Sequence, residues 1–153
     1  MKAMHCAQSN DEIAVDPNTV LIKKRGLLLI DDDECFRTLF QSIADSKKVP
    51  AATYSSLADM HSVGALGEYD AVVLDYFLES FRGTEIAEYI DVFFPNLPVL
   101  VISSNEIETS KQLHWPACIH RFVSKRSGGH AIVHWAMEAV RGQLNFAASA
   151  LCG

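Results

Sequence analysis

Three short runs of the chain, "LLLI" (27–30), "AVVLD" (71–75) and "VLVIS" (99–103), are almost uninterrupted in apolar character. A strand with one wet face alternates polar and apolar residues, whereas a strand without alternation is covered on both faces. Helices must therefore lie on either side of a sheet that contains these runs. Two more polar runs, "AATY" (51–54) and "IHRFVS" (119–124), suit the sheet edges.

Helical patterns fill the gaps. Phe36, Leu39, Phe40 and Ile43 fall at i, i+3, i+4 and i+7 and predict a first helix. Leu57, Met60 and Gly64, with Ser55 or Ser56 as a cap, predict a second. Ile86, Ile90 and Phe93 predict a third, stopped before Pro95. The stretch "EIETSKQLHWP" (106–116) is the weakest candidate and ends at Pro116. Ile132, Trp135, Ala136, Ala139 and Val140 predict the last. Strands alternating with helices predict an α/β fold, a parallel sheet of right-handed βαβ units.

The 153 residues suffice for one domain. A net charge of −6 opposes direct nucleic-acid binding, which needs basic patches. No apolar run is long enough to span a membrane, and "MKAMHCAQSN" lacks the apolar core of a signal peptide. Cys6, Cys35, Cys118 and Cys152 are scattered without a paired motif, so reduced thiols and a cytoplasmic location are expected. Residues 1–25 read as a flexible extension in which "TVLIKK" offers a short extra strand. Residues 26–147 read as the domain and 148–153 as a tail.

Ligands of such sheets sit beyond the carboxyl ends of the strands. Those ends carry Asp31 and Asp32, then Asp75, then Ser103 and Ser104, then Ser124 and Lys125. Three carboxylates suit a hard divalent cation, while a lysine and a serine hold phosphoryl oxygens. Carboxylates also act as nucleophiles toward phosphorus. The residues thus predict metal-assisted phosphoryl transfer onto or past a carboxylate. Asp33 and Glu34 belong instead to the following helix, whose amide end favours negative charge. Ser104 reads as packing.

"LLLIDDDECFR", "AVVLDYFLESFRG", "LPVLVISS" and "RFVSK", in this order and at these separations, resemble the receiver domain of response regulators over residues 26 to 147. The resemblance implies a doubly wound, flavodoxin-like sheet of five parallel strands in the order 2-1-3-4-5, with five helices. It also implies a two-component phosphorelay protein, a phosphoprotein rather than an enzyme. Asp75 would be the phospho-acceptor, taking its phosphoryl group from a phosphohistidine or a small donor such as acetyl phosphate. Mg²⁺ (or Mn²⁺) would be held by Asp31, Asp32, Asp75 and the backbone carbonyl of Phe77. Lys125 would pair with the phosphoryl group, and Ser103 and Phe122 would form the switch. Partners would be a sensor histidine kinase or histidine phosphotransfer protein, and a downstream protein on the face of the fourth helix, fifth strand and fifth helix. A homodimer is open, and the 28 or so residues after Lys125 read as the fifth helix and a short tail without an output domain, unless the chain is a fragment of a larger protein.

The sequence departs from the family pattern at several places. Arg126 follows Lys125 where Pro with a cis peptide is usual, so the bond is trans or strained, since a non-proline cis bond costs ~2.5–4 kcal/mol. Glu79 replaces a common Pro, and Cys118-Ile119 the usual Gly-Ala. Phe77 and Asn105 stand where the family tunes hydrolysis, and a bulky Phe77 predicts a long-lived aspartyl phosphate. The competing functions are a degenerate receiver used only for docking, and a Mg²⁺-dependent phosphohydrolase. Phe77 sits where such hydrolases commonly place a second acid. His130, His134 and Glu138 form a possible zinc half-site or simply a solvated helix face. Trp115, Phe122 and Trp135 suggest a partner patch, unless Trp135 is core, as its place on the apolar stripe equally suggests.

Overall fold

The computed structural model describes residues 25–107, 111 and 114–151, with side chains as far as Gly142. Five strands, β1 (Leu27–Ile30), β2 (Ala51–Tyr54), β3 (Ala71–Asp75), β4 (Val99–Ser103) and β5 (Ile119–Ser124), form one parallel sheet in the order β2-β1-β3-β4-β5. The three runs without alternation are the three inner strands, and every residue in them is buried. The two polar runs are the edges.

Alternate residues of the inner strands feed two separate cores. Leu27, Leu29, Val73, Leu100 and Ile102 pack under helix α1 (Glu34–Ser46) and the last helix, α3 (Gly129–Leu151). Leu28, Ile30, Val72, Leu74, Val99 and Val101 pack on the opposite face under α2 (Gly83–Phe93). The sheet is therefore doubly wound, as the apolar runs require.

The helices depart from the expected five. Between β2 and β3 the chain makes two 3₁₀ turns, Leu57–Asp59 and Val63–Glu68, in place of a second α-helix. Leu57, Met60, Val63, Leu66 and Tyr69 recur every third residue, and Met60, Leu66 and Tyr69 are buried. A period of three matches the 3₁₀ helix, and Gly64 and Gly67 weaken the α-helical alternative. Of 106–116, Glu106 and Ile107 are helical, while 108–110, 112 and 113 lie outside the described residues, as does the N-terminal extension up to residue 24. The last helix runs on to Leu151, across the boundary expected at 147. Leu39 and Phe93, expected on buried stripes, are exposed, while Phe40, Ile43, Ile86 and Ile90 are buried. Among the described residues no helix is long and apolar enough to cross a membrane.

Leu29 is fully buried in the interior of β1, flanked by β2 and β3 and packed in the core under α1 and α3. Leu29→Ala should therefore cost about 3 kcal/mol in urea unfolding. A loss below about 1 kcal/mol would contradict this account of the core, because relaxed surface sites show such small values.

Candidate functional site

In the strand order β2-β1-β3 the chain reverses its winding direction between β1 and β3, and this opens a crevice at their carboxyl ends. Ile30 lies opposite Leu74, so the next residues, Asp31 and Asp75, face each other across that crevice. Their burial follows from the same geometry: Asp31 is fully buried and Asp75 nearly so, whereas Asp32 is exposed. Carboxylate oxygens of the three lie within 4.8 Å of one another.

Both buried acids are held in the same way. Asp31 Oδ1 accepts the backbone N–H of Asp33 at 2.9 Å, and Asp75 Oδ1 accepts that of Phe77 at 3.3 Å. Their Oδ2 atoms turn to Lys125, whose Nζ lies 2.7 Å from Asp31 and 3.0 Å from Asp75. The Arg37 guanidinium donates to the backbone carbonyl of Asp31 at 2.7 Å and fixes the turn that follows β1. Asp33 caps α1 by accepting the N–H of Phe36, so the third acid serves the helix.

Lys125 is aimed by β5. Ser103 pairs with Ser124 in register, so the residue after Ser124 emerges beside the end of β4. A short 3₁₀ turn, Lys125–Ser127, then begins, and Ser124 Oγ accepts the N–H of Arg126 at 3.2 Å. A proline at 126 would have no N–H to give. Every peptide bond among the described residues is trans, including Lys125–Arg126. The loop thus reaches Lys125 by a side-chain cap.

On the other flank, Gly83 N–H donates to Tyr76 O at 2.8 Å, drawing the start of α2 against the end of β3. A Cβ at Gly83 would sit 2.5 Å from the carbonyl oxygen of Asp75, so only glycine fits there. Ser103 is fully buried and its Oγ accepts the N–H of Asn105 at 3.0 Å. Phe122 is half-buried, its ring 6.2 Å from that of Trp115.

Burial pushes the Asp31 carboxyl up to about 6; the Lys125 ammonium and the Asp33 amide pull the other way, and the Asp75 charge adds to the rise. Burial alone would lower the Lys125 ammonium, but its close contacts and charge pairing with Asp31 and Asp75 more than offset that and raise it. Asp31 Oδ2 is buried and has the ammonium nearby without a well-directed hydrogen-bond donor. One cation shared by two buried carboxylates, with a third at the rim, leaves the site short of positive charge. An oxygen-only donor set with a solvent-exposed member fits a hard divalent ion that keeps part of its water shell.

Other sequence candidates lie apart from this rim. His130 and His134 are exposed on α3, and Glu138 pairs with Arg141. The three aromatics do not form one patch. Trp115 and Phe122 pack with the core under α2, and Trp135 packs on the opposite core with Arg121 3.7 Å over its ring. The alternation of β5 separates them, because Arg121 and Phe122 point to opposite faces. Buried Cys118, whose Sγ donates to Ala87 O at 3.1 Å, has its thiol pushed up to about 12 by burial, which disfavours the thiolate. The Arg82 guanidinium, 4.6 Å over the Phe77 ring, was not singled out in the sequence; its spacing of five from Phe77 becomes meaningful only through the hairpin that pairs the two residues.

Residues 27–136 match the family model described as the response regulator receiver domain. Comparison with curated proteins gives no match. Among solved structures, the chain resembles the signal receiver domain of an HD domain-containing protein from Pseudomonas fluorescens Pf-5, with TM-score 0.68 and 16% identity over 87% of this chain and 96% of that one. It also resembles a CheY-like response regulator receiver domain protein from Methanospirillum hungatei JF-1, with TM-score 0.66 and 15% identity over 78% and 95%. A third is the response regulator protein TrrA from Thermotoga maritima in complex with Mg(2+)-BeF, with TM-score 0.63 and 18% identity over 74% and 96%.

The raised Asp31 carboxyl sets a pH dependence. The folded chain holds this proton between its ordinary value of 3.8 and about 6, where the unfolded chain has released it. The contribution of Asp31 therefore favours folding at low pH and is lost as pH rises through about 6. Asp31→Asn should raise the metal-free Tm at pH 7 by several degrees, and the gain should shrink toward pH 4 in calorimetric scans. Added Mg²⁺ should raise the Tm of the native protein at pH 7 and leave Asp31→Asn almost unmoved.

Proposed function

The chain belongs to the response regulator receiver-domain family, and from that premise we propose that Asp75 accepts a phosphoryl group from a phosphohistidine donor and that the modified domain signals through a partner. The observation that carries the reading is the single lysine shared by two buried carboxylates at the switch point of the sheet. Asp75 Oδ1 is anchored by the Phe77 amide, and Oδ2 is held by an ammonium alone. In this reading an Asp75 oxygen attacks phosphorus, the phosphorus–nitrogen bond of the donor breaks, and the imidazole leaves with its electron pair. Lys125 then pairs with a phosphoryl oxygen in place of one carboxylate. Asp31, Asp32, Asp75 and the Phe77 carbonyl would hold a Mg²⁺ or Mn²⁺ ion, which would supply charge neutralisation for the transferring group.

Ser103 stands one residue beyond Ile102, the register partner of Asp75, and among the described residues its hydroxyl bonds the backbone of Asn105 in its own turn. In the proposed switch this hydroxyl turns to a phosphoryl oxygen, and half-buried Phe122 moves into the space it leaves. The face that changes comprises the 106–116 region, β5 and α3, and a dianion added at one end biases it between two packings. The partners this reading requires are a histidine kinase or histidine phosphotransfer protein upstream and a protein downstream.

Incubation with Mg²⁺ and acetyl phosphate should add one phosphoryl group by intact-mass measurement, and Asp75→Ala should abolish it. Modification that survives Asp75→Ala would exclude this acceptor. In this reading bulky Phe77, two residues after Asp75 and with Arg82 4.6 Å over its ring, hinders the water that would attack the phosphoryl group. The phosphorylated protein should therefore lose its group slowly, over minutes to hours, and Phe77→Asn should speed the loss several-fold. A half-life of seconds in the native protein would contradict this.

A further inference from the structure

One exposed face differs from the charged surface around it. Tyr89, Val92 and Phe93 on α2 are 38%, 72% and 61% exposed, and Phe81 just ahead of the helix is 52% exposed. Phe81 and Tyr89, with Leu57, Val63, Glu85 and Ile86, line a groove of 480 Å³ between α2 and the 3₁₀ turns. The apolar surface continues beyond the groove: the Tyr89 ring lies 4.5 Å from Phe93 and 6.4 Å from Phe94. Phe94 in turn abuts Gly67, where a Cβ would come within 2.7 Å of the ring. A contiguous patch of this kind marks a contact surface.

The strip leads to the point where the preceding chain arrives. The Arg25 backbone N–H donates to Glu68 O at 3.0 Å, and Arg25 Nε lies 2.9 Å from Glu68 Oε2. Glu68 is the neighbour of Gly67, so Arg25 is fastened at the Phe94 end of the strip. The residues immediately before it are "TVLIKK", three aliphatic side chains followed by two lysines. The opposing helix has the complementary character: α2 carries Glu85, Glu88 and Asp91 and no basic residue.

We propose that Thr19–Lys24 docks on this face as an extended segment. Val20, Leu21 and Ile22 cover the aromatic strip and the adjoining groove, and Lys23 and Lys24 lie beside the carboxylates of Glu68 and Glu88. The reach is sufficient: six extended residues span about 20 Å at ~3.3–3.6 Å each, against about 16 Å for the eleven residues of α2. Tethering at Arg25 gives the segment an effective concentration on the order of millimolar, so modest contacts hold it. This inference goes beyond the phospho-acceptor reading and does not depend on it.

The test uses the full chain and amide hydrogen exchange read by mass spectrometry. Leu21→Asp/Ile22→Asp leaves the packed domain untouched and should speed exchange across Leu57–Gly67 and Glu85–Phe93 at least threefold. Lys24→Glu and Glu88→Lys should each give a smaller increase, and the charge-reversed double variant should return toward native rates. Unchanged exchange in both segments would overturn the proposal. So would protection lost at Ala51–Tyr54 instead, which would place the segment as a strand beside β2. Protection that persists in Leu21→Asp/Ile22→Asp and grows with protein concentration would also overturn it, because a second copy would then cover the groove.

Discussion

The ammonium of Lys125, within 3.0 Å of both Asp31 and Asp75, is the contact on which the rest of the arrangement depends. Two carboxylates this close and this deep repel one another and lose most of their hydration. At ~4 Å and an effective dielectric of ~20 the repulsion is up to about 4 kcal/mol. A single cation offsets part of it only if three separate strand ends are held in register. β1 delivers Asp31, β3 delivers Asp75, and β5, two strands away from β3, must deliver Lys125. The long aliphatic stem of the lysine spans that gap, and it passes near the Phe36 ring, 5.0 Å from the Nζ.

This demand explains the composition of the sheet. The inner strands can be apolar at every position because each is sealed by helices or 3₁₀ turns on both faces, and polar groups appear only where a strand ends. Among the described residues, Asp31, Asp75 and Ser103 are three of the four buried polar residues, and all three terminate or follow inner strands. The fourth, Thr84, stands beside Gly83 at the start of α2, against the same rim. Buried polarity in this chain is thus concentrated where ligand chemistry is proposed.

Much of this is legible in the residues themselves. The absence of alternation in 27–30, 71–75 and 99–103 dictates two covered faces, and from that the parallel sheet and the rim of strand ends follow. The division of "DDDE" between the crevice and the helix cap is legible too, because Asp33 and Glu34 precede a 3.6-residue stripe. What escaped the reading depends on finer geometry. The crossover after β2 has a three-residue period, and Leu57, Met60 and Gly64, at i, i+3 and i+7, suit an α-helix equally well until Val63, Leu66 and Tyr69 are included. Leu39 and Phe93 sit on apolar stripes yet face outward, since each stripe is wider than the contact its helix makes with the sheet. The separation of Trp135 from Trp115 and Phe122 follows from the alternation of β5, and linear spacing across three elements cannot express it. The role of Ser124 as a cap for Arg126 likewise depends on a loop conformation that the departure from proline leaves open.

The same electrostatics connect the site to its surroundings. A group held near a carboxyl value of about 6 by burial is ionised at neutral pH at the expense of folding free energy. Whatever brings positive charge or directed donors to Asp31 Oδ2 recovers that energy, so ligand affinity and fold stability draw on one source. Lys125 cannot satisfy both carboxylates and an added phosphoryl group equally well. In the proposed function, an added dianion would therefore redistribute the ammonium among three anions instead of merely adding a contact. Lys125 opens the turn that directly follows β5, so in the proposed switch a shift in its position would reach the strand that carries Phe122. The loop is short, capped by Ser124 at its start and ended by Gly128 at φ +87°, so in the proposed switch few residues separate a charge at β3 from the face of β5.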